Sequence, residues 1–105
     1  MIDEKKIAGL GERIAREFQP ERILLFGSYA YGAPRPDSDV GLLVVLAFDG
    51  KGFRKSLGIL NRVDPDFSVD LVAPSPEDTA RRYEEGEPLM REALDHGKVL
   101  YERHR

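Results

Sequence analysis

At 105 residues, 41% hydrophobic and 33% charged, the chain has the composition of one small globular domain, residues 1–105, with room for a single core. A net charge of −3 argues against a broad footprint on a nucleic-acid backbone, and the lack of cysteine excludes disulfides and thiolate metal sites. No apolar run nears the roughly 20 residues of a membrane span. The opening MIDEKKIAGL has no apolar signal-peptide core, so the chain is expected to be cytoplasmic.

Ile7, Leu10, Ile14 and Phe18 recur at helical spacing and predict an amphipathic helix over residues 3–18, with Asp3 as N-cap and Pro20 as its stop. Residues 23–26 form a continuous apolar run that fits a buried central strand. Gly27 leads into a short helical turn, ended by Gly32, and a loop over residues 33–38 carries Pro34 and Pro36. Residues 40–48 read as a strand and 49–52 as a turn. Phe53, Leu57, Leu60 and Val63 then mark a second amphipathic helix, broken by Asp64, Pro65 and Asp66. Residues 67–73 alternate and predict a third strand. Ser75 and Pro76 open a helix through Tyr83, another spans 89–96 and is closed by Gly97, and residues 98–102 make a short last strand. The order α-β-(α)-β-α-β-α-α-β describes an α+β fold, a small mixed sheet with helices packed against it.

The chemistry-bearing residues gather around the first two strands. Gly27 and Ser28 sit at a strand-to-helix turn, where backbone amides and a hydroxyl suit phosphate. Asp39 opens the second strand, and residue 41 shares its face about 7 Å along the chain. Position 41 is glycine. Asp70 lies inside the apolar third strand, where a carboxylate is costly unless something pairs with it. If the second and third strands are neighbours, Asp39 and Asp70 converge on one metal ion.

These residues carry a resemblance. GSYAYG at 27–32, PDSDVGLLV at 36–44 and FSVDLV at 67–72 are similar to the motifs of the minimal nucleotidyltransferases of the DNA polymerase beta superfamily. That family reads Gly-Ser, about ten residues, Asp-x-Asp, and a third Asp on a later strand. The resemblance extends to the closing PLMREALDHGKVLYE. It implies two magnesium ions, ATP or another nucleoside triphosphate, and transfer of a nucleotidyl group to a hydroxyl. It assigns the triphosphate to Gly27 and Ser28, and the metal and catalytic roles to Asp39 and Asp70. Gly41 stands where the second acid of Asp-x-Asp belongs, so catalysis is expected to be impaired. Tyr31 stands where many relatives carry arginine.

The resemblance also implies a second reading, a catalytically weak antitoxin that works as the partner of a HEPN-type protein. A residue-level reading of the rest is plainer. Tyr29 and Tyr31 are expected to pack or to contact a partner rather than to act in catalysis, Arg81 and Arg82 to lie on a solvated face, and Glu84, Glu85 and Glu87 to form a solvated acidic turn. His96 fits a helix C-terminus, and Asp37 has the wrong strand phase to replace the missing acid. An aspartate at position 41 is expected to be tolerated if that position faces an open cleft.

Overall fold

The computed structural model describes residues 1–48 and 52–103, with the side chains of 52 and 53 left aside. The turn expected at 49–52 therefore falls largely outside the described residues, as does His104.

Helix α1 (Glu4–Phe18) starts as expected, with the Asp3 carboxylate accepting from the Lys5 amide at 2.9 Å. It ends where Gln19 turns left-handed, just before Pro20. Strand β1 (Arg22–Phe26) leads through Gly27 into the one-turn helix α2 (Ser28–Tyr31). Strand β2 (Val40–Val45) follows, then α3 (Gly52–Val63), β3 (Val69–Val72), α4 (Pro76–Glu84), α5 (Pro88–His96) and β4 (Lys98–Glu102). The Ser75 hydroxyl caps α4 by accepting from the Asp78 amide at 3.1 Å.

The sheet runs β3-β2-β1-β4. The β1 strand is antiparallel to both β2 and β4, while β2 and β3 are parallel and α3 supplies the crossover such a pair requires. The β2 strand is three residues shorter than its apolar run, because its last partner on β1 is Arg22, opposite Val45. Beyond that point β1 has ended at Pro20 and Gln19 and offers no further ladder.

Side chains alternate between two cores, as the period of two demands. Ile23, Leu25, Val40, Leu42 and Val44 pack under α1 and α3 with Ile7, Leu10, Ile14 and Ile59. Leu24, Phe26, Leu43 and Val45 face the other way and pack under α5 with Met90 and Ala93. No helix among the described residues is long and apolar enough to cross a membrane.

The acidic turn differs from its expected solvated form. Arg82 donates through Nε to Glu87 at 2.6 Å and pairs with Asp78, while Arg81 bonds Asp78 and Glu85. The Arg82 contact holds the Glu87 carboxyl below its usual range. These pairs tie α4 to the start of α5.

Candidate active site

Register brings the key positions together. Phe26 of β1 lies opposite Gly41 of β2, and Gly41 lies opposite Asp70 of β3. The three form one row across three strands, on the face that carries Leu24 and Leu43. Asp39 precedes Gly41 by two residues and shares that face. The Val40 amide donates to the Ser68 carbonyl at 3.0 Å, which keeps the approach to β2 paired with β3 at Asp39. A diagonal of one pair separates Asp39 from Asp70, about 8 Å from the strand rise and spacing.

Asp70 departs from the expectation of a costly carboxylate inside an apolar strand. The β3 strand is the sheet edge, and Asp70 is exposed on it, as is Asp39 at the mouth of β2. Both are solvated and available to a cation. Asp70 also lines a groove of about 560 Å³ along the free edge of β3, with Leu57, Leu60, Val69, Asp78 and Arg82. Gly27, Ser28 and Asp39 do not line that groove. Asp37 lies exposed in the turn before the strand. Among the described residues no three His, Cys, Asp or Glu side chains gather to hold a metal ion.

The Gly27–Ser28 turn closes the other side of this sheet end. Gly27 has φ 81 and ψ −165, a backbone region that essentially only glycine enters. Its carbonyl accepts from the Ala30 and Tyr31 amides at 2.9 and 3.3 Å. Ser28 and Tyr29 occupy the first turn, whose amides have no helical acceptor. No atom would lie within 4 Å of an added Cβ at Gly27, so only the dihedrals forbid a side chain there. Gly27→Ala is accordingly expected to cost about 1–3 kcal/mol, read as a lower urea midpoint at unchanged slope.

The two tyrosines of α2 divide as packing residues. Tyr29 joins the α1-side core, and its hydroxyl accepts from the Ile2 amide at 3.0 Å. Tyr31 is 43% exposed. Partial burial first, and then the adjacent Glu92 carboxylate of α5, raise its hydroxyl above the ordinary value, while a hydrogen bond from the Gly27 backbone works against them. This link from α2 to α5 had no signal in the sequence.

Position 41 is not the open cleft that an acid there would need. A Cβ built on Gly41 would stand 2.8 and 2.9 Å from two ring carbons of Phe26, and 2.8 Å from the Phe26 carbonyl oxygen. Phe26 was legible as strand core, but its place over Gly41 depends on a register set by the intervening loop.

The sequence model of the family described as polymerase beta, nucleotidyltransferase matches residues 10–105. The chain belongs to this nucleotidyltransferase family. Solved structures share the fold. One is a Sulfolobus solfataricus protein assigned as a nucleotidyltransferase, 20% identical over 94% of this chain and 79% of that chain, with a TM-score of 0.65. Another is a toxin–antitoxin with AMP-PNP, 25% identical over 98% of this chain and 76% of that one, at 0.56. A mutant of the toxin–antitoxin MntA-HpeT is 21% identical over 99% and 76%, at 0.60. No curated protein matches the chain. The mixed four-stranded sheet flanked by helices is the α+β fold expected of this family.

Proposed function

We propose that this nucleotidyltransferase-family chain binds a nucleoside triphosphate with magnesium, and that its nucleotidyl transfer to a hydroxyl acceptor is weakened by Gly41. The observation that carries the reading is the placement of Asp39, one residue before β2, close to Asp70 on the neighbouring parallel strand β3, beside the Gly27–Ser28 turn. In this reading Ser28, through its hydroxyl and first-turn amide, and the backbone at Gly27 take the phosphates. Asp39 and Asp70 take the ion.

A single ion fits the residues present. Magnesium is commonly held by one or two carboxylates together with substrate phosphates, and two exposed aspartates meet that need. When bound, the ion would neutralise phosphate charge and orient the triphosphate. A pair of ions clamping both the attacking and the leaving oxygens does not fit as well, because position 41 supplies no ligand. A loss of about 4 kcal/mol of transition-state stabilisation follows, on the order of a thousandfold in rate.

The second reading is a cytoplasmic antitoxin that binds a HEPN-type protein, with or without modifying it. The toxin–antitoxin structure with AMP-PNP, 25% identical to this chain, favours it and is compatible with nucleotide binding. The two readings share one nucleotide site and differ in whether turnover survives.

Titration calorimetry tests the shared part. ATP is expected to give a binding heat in the presence of magnesium and little without it, and Asp70→Asn is expected to weaken the magnesium-dependent binding by roughly tenfold or more, since one of two carboxylate ligands is lost. Heats that are equal with and without magnesium, and unmoved by Asp70→Asn, would remove the reading.

A further inference from the structure

We infer that Phe26 and Gly41 form one interlocked pair that seals the place where a third carboxylate would stand, so that no single replacement turns this one-ion site into a two-ion site. The consequence for ions rests on the function proposed above, but the interlock itself stands on geometry alone.

Phe26, Gly41 and Asp70 face the same way in one row, so the space above Gly41 is the space between Phe26 and Asp70. The Phe26 ring fills it. Two of its carbons would lie 2.8 and 2.9 Å from a Cβ at residue 41, closer than real Cβ contacts come. The ring has no easy way out. Phe26 is 6% exposed and packs with Leu24, Leu43, Met90 and Ala93, so displacing it disturbs the contact between the sheet and α5.

A side chain at 41 therefore competes with the ring for one volume. For aspartate the conflict is worse, because its charge would be driven against apolar packing. The Phe26 carbonyl oxygen, also 2.8 Å from the built Cβ, is backbone and stays there whatever side chain residue 26 carries. Phe26 opposite Gly41 is the last registered pair of β1 and β2, so room for that oxygen comes only from moving strand backbone. Ring and carbonyl close the site together.

The glycine is thus more than a lost ligand. Its bare backbone is what lets the Phe26 ring occupy the row, and Asp39 and Asp70 are the only two acids on this face of β2 and β3 among the described residues. Shortening Phe26 and adding a carboxylate at 41 must happen together for a third acid to stand beside the other two.

A double-mutant cycle on thermal stability tests the interlock without any nucleotide. Gly41→Ala alone is expected to lower the Tm by roughly 8 °C or more, and Phe26→Leu alone by several degrees. Phe26→Leu with Gly41→Ala should lose clearly less than the sum of the two single losses, because the ring's share of the clash is gone while the carbonyl's remains. A double variant whose Tm falls by the sum of the two single losses would overturn the interlock.

Mn²⁺ titration followed by electron paramagnetic resonance, at saturating AMP-PNP, tests the consequence. Wild type is expected to hold one ion per chain, and Gly41→Asp no more than one. Two ions on either would overturn the proposal. If wild type retains no ion, the nucleotide reading fails, and the stability cycle still decides the interlock.

Discussion

Gly97→Ala is expected to destabilise the chain by about 3 kcal/mol or more, at or beyond the upper end of ordinary overpacking. A Cβ there would come within 2.4 Å of the Ala93 carbonyl oxygen and 2.7 Å of the Leu25 carbonyl oxygen. Both obstacles are backbone, and neither can rotate away. Ala93 is a fully buried residue of α5, and Leu25 lies on β1, held between β2 and β4. The sequence suggests a left-handed cap at Gly97, the usual reason for glycine after a helix. The residue is instead extended, at φ −71 and ψ 167, and its amide donates to Ala93 at 3.0 Å. Close approach, not an unusual dihedral, requires glycine here. Urea denaturation should show a lower midpoint at unchanged slope. A loss under about 1 kcal/mol would mean that the junction of α5 and β4 relaxes freely.

Leu42→Ala is expected to cost about 2–5 kcal/mol, the range for emptying a fully buried leucine site. Leu42 is 0% exposed on β2 and packs in the core beneath α1 and α3. The β2 strand pairs with both β1 and β3, so partial collapse around the cavity is resisted on two sides. The site face should respond less than the core, because Leu42 points away from Gly41 and Asp70. Calorimetric melting measures the loss. A change below about 1 kcal/mol would mean that the α1 side refills the space.

Much of the fold was legible because apolar spacing and stop residues agreed. Ile7, Leu10 and Ile14 with the Asp3 cap located α1, and Ser75 with Pro76 located the start of α4. The common face of Asp39 and Asp70 was legible conditionally, since alternation gives the face but not which strands are neighbours. What stayed hidden depended on tertiary placement. The exposure of Asp70 follows from β3 being an edge, which no local pattern states. The contact of Phe26 with Gly41 follows from a register carried across the loop between them. The ion pair of Arg82 with Glu87 follows from how the chain turns between α4 and α5, so an acidic cluster that looked merely solvated is partly engaged.

The order of strands also sets an order of assembly. The β1 strand lies inside the finished sheet, yet one of its two neighbours is β4, the last element of the described chain. Arg22 must wait for Glu102, and Leu25 for Lys98. During synthesis the apolar run of β1 emerges well before β4 and keeps one edge unpaired until residues 98–102 have left the ribosome. Such an edge recruits other strands. Pairing between distant parts of the chain also slows folding, because loop closure precedes the contacts that reward it. Ribosome-stalled fragments ending before residue 98 should aggregate, and released chains that include residues 98–102 should not.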